Sequence, residues 1–251
     1  MTTLRHWLLE QPTTLAMSSG FFGFFAHLGV VTALEEMNFK PQKVVGSSAG
    51  ALIGSLWASG MSPEAIRGLL FGLQRKDFWD PGFGRGLLKG AKFREMLKSN
   101  LPVQNMEDCR FPLALSVYDK NKKSTFVVQE GCLATAIYAS CAVPILFQPV
   151  RLAGRLGADG GVLDRHGMLG AQEGERIFYH HLNSRSPWRK KDSPALAVPQ
   201  RENMKALIID GLPRLGPFKL ELGPIAFDKG LKGAREGFEL ELKALTHEVF
   251  V

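Results

Sequence analysis

Cysteine is scarce in this sequence, with three in 251 residues. Cys109, Cys132 and Cys141 are odd in number and show no paired metal-ligand spacing. That sets aside a disulfide scaffold and a zinc module and favours a reducing compartment. Acidic residues are also in short supply, since 24 Asp and Glu stand against 31 Lys and Arg, a net charge of +7. The excess favours an acidic partner or an anionic surface without naming one. No internal repeat is visible. The hydrophobic share of 45% and charged share of 22% are those of a soluble globular protein, not a disordered one. One α/β domain over residues 1–251 is therefore expected.

Charge is missing altogether from two stretches, Gln11 to Leu34 and Val44 to Pro63. About 20 such residues would suffice to cross a bilayer. Both runs are broken by Gly and Ser, including Ser18, Ser19, Gly20 and Gly23 in the first and Gly46, Ser47, Ser48 and Gly50 in the second. Such interruptions fit buried strand-turn-helix segments, not membrane spans. A cleaved leader is disfavoured as well, because Glu10 follows Arg5 within the stretch that should be apolar.

Periodicity predicts a strand at Thr13–Ser18, a glycine-containing turn, and a helix from Phe24 to about Asn38. A second strand at Lys43–Gly46 leads into a helix at Ala49–Ser59, and Ser62-Pro63-Glu64 opens another. Residues 77–90 read as a loop, followed by a short basic helix at Lys92–Ser99. Phe111–Tyr118 and Ser124–Gln129 read as paired strands around a polar turn, then a helix at Leu133–Ala139. Val150–Gly161 has strand and tight-turn character, and Ile177–Leu182 and Lys205–Ile209 are further strands. Ser184–Asn203 reads as a polar surface loop, and a final helix is expected from about Asp228 to Val249. Strands alternating with helices predict a mostly parallel sheet covered on both faces.

Gly46-Ser47-Ser48-Ala49-Gly50 is a GxSxG string between a strand and a helix. A sharp strand-to-helix turn needs small residues on each side and leaves the serine oxygen exposed at the helix N-terminus. Backbone N–H groups there can stabilise a developing oxyanion, so Ser48 is the candidate nucleophile. Serine needs a base. The histidines on offer are His6, His27, His166, His180, His181 and His247. His27 falls inside a helix pattern, which favours a structural role, and His180 and His181 occupy a strand where they must face opposite sides. A carboxylate alternative is Asp159 in Gly157-Ala158-Asp159-Gly160-Gly161.

Four ordered blocks from Leu15 to Gly167 resemble the patatin-like phospholipases. They are Ser18 to Gly23 with Ala26-His27-Leu28-Gly29-Val30 and Ala33-Leu34-Glu35-Glu36; Gly46 to Gly50; Ala139 to Pro144 with Phe147-Gln148-Pro149-Val150; and Asp159-Gly160-Gly161. The motif-bearing portion spans about 13–167, leaving 168–251 as C-terminal strands and helix. The resemblance implies a three-layer α/β/α fold with a mostly parallel central sheet. It also implies a Ser-Asp dyad of Ser48 and Asp159, an oxyanion hole from the N–H groups of Gly20, Phe21 and Ala49, and no cofactor or metal. The chain departs from the family in Ser18-Ser19 where glycines are usual, in Phe22 where Arg is common, and in Asp164-Arg165-His166-Gly167 after the Asp-Gly-Gly. Two alternatives follow: a Ser-Asp-His arrangement through His166 or His180, and a non-catalytic lipid-binding protein whose altered loop has lost its oxyanion donors.

Phe21, Phe22, Phe24 and Phe25 cluster at the proposed site entrance. Core packing is the plain reading of each, but Phe21, Phe22 and Phe24 are the candidates for an acyl-chain wall. Basic runs occur at Arg85, Lys89, Lys92, Arg94 and Lys98, at Lys120, Lys122 and Lys123, and at Arg185, Arg189, Lys190 and Lys191. If two of them share the face of the site opening, peripheral contact with an anionic membrane is expected. No nucleic-acid signature accompanies the charge, so nucleic acid is not expected as a partner. The expected substrate is a lipid ester and the expected location cytoplasmic, peripheral at a membrane.

Overall fold

A computed structural model describes residues 2–183, 193–242 and 248–251. In chain order the elements begin with α1 (Leu4–Glu10), β1 (Thr14–Met17), α2 (Phe24–Glu36), β2 (Val44–Gly46), α3 (Ala49–Ala58) and α4 (Pro63–Phe71). Next come α5 (Arg75–Phe78), β3 (Gly86–Leu88), α6 (Ala91–Asn100), β4 (Leu113–Asp119), β5 (Ser124–Val128) and α7 (Leu133–Cys141). The chain then forms β6 (Ile145–Phe147), β7 (Val150–Leu152), β8 (Arg155–Asp159), β9 (Ile177–His181), β10 (Met204–Ile208), α8 (Gly223–Glu239) and β11 (Glu248–Phe250).

The main sheet runs β11-β10-β9-β1-β2-β4-β8-β7, with β5 also on β4. From β11 to β4 every pairing is parallel, while β5, β8 and β7 add antiparallel partners at the end. The fold class is mixed α/β, a mostly parallel central sheet flanked by helices. Alternate residues of each strand face opposite sides. Leu15, Met17, Val44, Leu113, Leu115 and Phe178 join the larger core with the helices. Ala16, Val45, Ala114 and Tyr179 face a smaller cluster closed by Met168, Ala171 and Val198.

Strand β4 positions the site. Leu115 pairs with Gly46 of β2 and with Val128 of β5, and Val117 pairs with Asp159 of β8 and with Phe126 of β5. A strand has two hydrogen-bonding edges, so β5 takes one and β2 and β8 share the other. Strand β2 runs parallel to β4 and β8 antiparallel, so their C-terminal ends meet end to end two residues apart along that edge.

Helices α2 and α3 account for the two uncharged runs. Ten of the thirteen residues of α2 and all ten of α3 are buried. Each fully buried Leu or Ile gains roughly 2 kcal/mol, which outweighs the poor helix propensity of Gly50, Gly54 and Ser55 in α3. Among the described residues no helix is long and apolar enough to cross a membrane. Helix α2 is clamped by α8 at backbone distance: a Cβ on Gly29 would lie 2.4 Å from Phe227 O, and one on Gly230 2.5 Å from Ala26 O.

Several expectations need correction. The final helix starts earlier, at Gly223 with Pro224 in its first turn, and stops at Glu239 where Leu240 turns extended. Past it, Val249 is buried in β11 against β10, so pairing with a distant strand wins over continuation of the helix. Residues 77–90 are not all loop, because β3 forms by pairing with β6 in a separate two-stranded sheet. No local pattern announces such a partner. Helix α1 was not anticipated; Thr3 caps it, and Leu4 and Leu8 anchor it. Of the expected loop over 184–203, residues 184–192 lie outside the described residues, and 193–203 include a 3-10 turn at Pro194–Leu196. Arg185, Arg189, Lys190, Lys191 and His247 lie outside the described residues.

Candidate active site

Only Ser47 and Ser48 separate β2 from α3, and the reversal forces Ser48 to φ 51°, ψ −115°. That left-handed value is costly for a residue with a side chain and persists only where surroundings hold it. Several neighbours do. The Ser48 N–H donates to Ser140 Oγ at 3.0 Å, and the Ser140 hydroxyl donates to Ser116 O at 2.8 Å. The Cys141 thiol donates to Ser48 O at 3.2 Å. Beneath the turn, Gly50 rests on β1 so closely that a Cβ would lie 2.1 Å from Met17 O. Gly46 closes β2 under the first turn of α3, with Ala51 N 2.9 Å from where its Cβ would be.

The Ser48 hydroxyl donates to Asp159 Oδ2 at 2.6 Å, and Asp159 Oδ1 accepts the Gly161 N–H at 2.7 Å. Gly160 lets that turn sit against β4, since its Cβ would be 2.1 Å from Ser116 O. Asp159 is only 5% exposed. Burial pushes its carboxyl up to about 6, while the bonds from Ser48 and Gly161 pull the other way. Burial, with the nearby Asp159 charge, raises the Cys141 thiol well above its ordinary value and keeps it a donor.

The glycine loop lies opposite. The Ser18 hydroxyl oxygen accepts the Leu182 N–H at 2.8 Å, and the Ser19 N–H donates to Arg165 O at 2.7 Å. The N–H groups of Gly20, Phe21 and Ala49 meet no protein acceptor among the described residues, and all three residues line the same cavity as Ser48 and Asp159. Free N–H groups around a serine oxygen can receive an oxyanion.

Histidine chemistry is engaged elsewhere. His27 Nε2 lies 2.8 Å from Ser18 O, an oxygen that can only accept, so Nε2 carries the proton. His27 Nδ1 must then accept from His180 Nδ1, 2.7 Å away. Burial lowers His27 to about 4 and His180 well below its ordinary value. On the opposite face of β9 the Tyr179 hydroxyl lies 2.9 Å from both His166 Nδ1 and His181 Nδ1. His6 is exposed on α1. The bond that reaches Ser48 is that of Asp159.

Above the pair opens a cavity of about 470 Å³, walled by Phe21, Phe22, Phe24, Leu52, Phe93 and Phe147. The three phenylalanines of the predicted acyl wall are among them. Phe25 is instead core, its ring tilted against that of Phe71 of α4. One buried cation, Arg165, also lines the cavity and donates through Nη2 to Leu182 O at 3.0 Å. Among the described residues no group of three His, Cys, Asp or Glu is placed to hold a metal ion.

The patatin-like phospholipase family model matches residues 15–171, from β1 through the turn after Asp159. The chain belongs to this family. An uncharacterized NTE family protein of Mycobacterium tuberculosis is 32% identical over 153 residues, 60% of this chain and 42% of that protein. An uncharacterized protein of Bacillus subtilis, YqhO, is 27% identical over 180 residues, covering 58% of this chain and 62% of that one. The chain thus corresponds to less than two thirds of the length of these curated relatives. Among solved structures, VipD from Legionella pneumophila superposes with a TM-score of 0.66 at 16% identity, covering 90% of this chain and 66% of that one. At that identity the likeness concerns the fold.

Within the patatin-like frame, motif reading missed the residues that hold the site together. Ser140 and Cys141 had a signal, since they sit in the distinctive Ala139–Pro144 string, but nothing in the string says that they grip the elbow. Asp164 had none. Its carboxylate accepts the Ser116 hydroxyl at 2.6 Å and the N–H groups of Gly167, Met168 and Leu169, tying the segment after Asp159 to β4.

Proposed function

We propose that this protein is a lipid acyl hydrolase that cleaves carboxylic esters through an acyl-Ser48 intermediate, with Asp159 as its base. The observation that carries the reading is the 2.6 Å bond from the Ser48 hydroxyl to a buried carboxylate at the floor of an apolar cavity. Ser48 Oγ attacks the ester carbonyl carbon as its proton passes to Asp159 Oδ2. The carbonyl oxygen becomes an oxyanion received by the N–H groups of Gly20, Phe21 and Ala49. When the tetrahedral intermediate collapses, the C–O bond to the alcohol breaks and protonated Asp159 returns the proton to the leaving oxygen. Water then attacks the acyl carbon while Asp159 takes its proton. Collapse frees the carboxylic acid and restores Ser48.

A base held at about 6 suits this cycle, being ionised at neutral pH yet still able to donate to a leaving alkoxide. The phenylalanine wall fits an acyl chain, whose burial supplies binding energy at roughly 0.8 kcal/mol per methylene. Short p-nitrophenyl esters and a fluorophosphonate probe test the reading. Label on Ser48 and turnover abolished by Ser48→Ala and by Asp159→Asn are expected. Unchanged turnover in either variant overturns its assigned role. No labelling with retained lipid binding assigns the protein as a non-catalytic lipid binder.

A further inference from the structure

The cavity mouth carries apolar side chains that the fold leaves uncovered. Phe21 and Ile145 line the cavity and are 37% and 74% exposed. Ile145 also has φ 74°, a left-handed conformation that a β-branched side chain adopts at a cost. Its strand β6 pairs with β3, and this small ribbon presents Leu87 at 50% exposure and Phe83 fully to solvent. Gln148 holds the tip by donating to Phe83 O at 2.9 Å. On the side of the glycine loop, the 216–218 segment runs beside Phe21, and Phe218, 67% exposed, packs edge-on against Trp79. A fully exposed Phe and a strained, exposed Ile contribute little to the stability of the fold.

The same region concentrates positive charge. Residues 74–100 hold seven Lys and Arg against three acids, and two of those acids are committed to backbone. Asp77 accepts the Gln74 N–H, and Asp80 accepts those of Gly90, Ala91 and Lys92. None of the seven cations forms an ion pair among the described residues. Arg75, Lys76 and Lys92 converge with Gln74 and Trp79 around a shallow pocket. Apolar tips among cations that form no ion pair, with Arg75 over the rings of Trp79 and Phe218, match a surface that is anionic outside and hydrocarbon within.

We propose that this face docks the protein onto an anionic phospholipid bilayer. Phe83, Leu87 and Phe218 enter the acyl boundary, Arg85 and Lys89 sit at the headgroups, and the cavity mouth opens toward the lipid. The inference rests on the lipid-ester reading for its purpose, but its test does not require turnover. Docking is read by co-sedimentation with vesicles of phosphatidylcholine alone or mixed with phosphatidylglycerol, at low and high salt. The protein and its Ser48→Ala variant serve equally, so that product release plays no part.

Expected are binding to the mixed vesicles, a marked loss at high salt, and roughly tenfold weaker partitioning for both Phe83→Ser/Leu87→Ser and Arg85→Glu/Lys89→Glu. Thermal unfolding and soluble-ester turnover should be unchanged in both double variants, which separates loss of docking from loss of fold. Equal partitioning of the variants and the parent overturns the proposal. So does binding that ignores phosphatidylglycerol and salt, or a dimer that Phe83→Ser/Leu87→Ser abolishes. Docking without esterase activity would overturn the hydrolase reading and leave the surface standing.

Discussion

The backbone N–H of Ser48 donates to the side chain of Ser140, 3.0 Å away at the C-terminal end of α7. The elbow is therefore held from a second helix, and the hydroxyl that holds it is anchored on Ser116 of β4. In the proposed reaction Ser140 touches no reacting atom and acts as a positioning residue. Ser140→Ala leaves the Ser48 N–H and Ser116 O without this partner, at a cost of roughly 1–3 kcal/mol. Ester turnover should fall about tenfold in kcat with KM little changed. A parallel fall in stability with full kcat in the remaining folded protein would contradict the positioning role.

Gly50 has no room for a side chain. Its Cβ would lie 2.1 Å from Met17 O and 2.5 Å from Met17 C, both backbone atoms that cannot step aside. Gly50→Ala should destabilise by more than roughly 3 kcal/mol, seen as insoluble expression or a large drop in Tm. A well-folded Gly50→Ala protein with near-normal Tm would show that β1 and α3 can separate.

With Asp159 as the proposed base, activity and stability should respond oppositely to pH. Its folded value of about 6 lies above the ordinary 3.8, so the native state holds the proton more tightly than the unfolded chain does. The stabilisation is present below 3.8 and is lost as pH rises through about 6. In the proposed reaction Asp159 acts as base in its ionised form, so kcat/KM should climb across pH 6. Asp159→Asn, inactive at every pH, should be more stable than the parent by roughly 2–3 kcal/mol in mildly alkaline solution, with the gain vanishing in acid. Denaturant unfolding across that range checks it, and a constant difference would contradict the buried charge.

The His27–His180 pair works in the other direction. His27 is held neutral at about 4, below its ordinary 6.5, so on acidification the unfolded chain takes up its proton first. Stability present above 6.5 is lost progressively between 6.5 and about 4. His180 Nε2 is buried with no hydrogen-bond partner among the described residues, and only neutral rings suit that site. His27→Gln should reduce the acid-side slope of unfolding free energy by about one proton. It should also slow turnover, because the ring's bond to Ser18 O is one of those that fix the glycine loop. An unchanged slope would place the acid sensitivity elsewhere.

Local features were legible in the chain itself wherever neighbours in sequence decide them. Ser62 with Pro63 marks the start of α4, where the Ser62 oxygen accepts the Ala65 N–H at 3.2 Å. Small residues around Ser48 announce the elbow because a turn that tight excludes larger ones. The polar turn between β4 and β5 announces their antiparallel pairing. By contrast β3, β6 and β11 are three-residue strands that exist through remote partners. Composition alone gives such segments no reason to be extended.

The sequence by itself determined that Ser48 would sit at a strand-to-helix turn, that its flanking runs would be buried, and that Asp159 would close a tight Asp-Gly-Gly turn. Each of these follows from residue size, polarity and period, which act over a few residues. Only the tertiary structure decided that Ser48 and Asp159 meet, because that contact depends on β2 and β8 ending on one edge of β4, at Leu115 and Val117. It also decided which phenylalanines wall the cavity and that the cations of residues 74–100 form no ion pair among the described residues. Strand register and helix packing set those distances, and both are collective properties of the whole core.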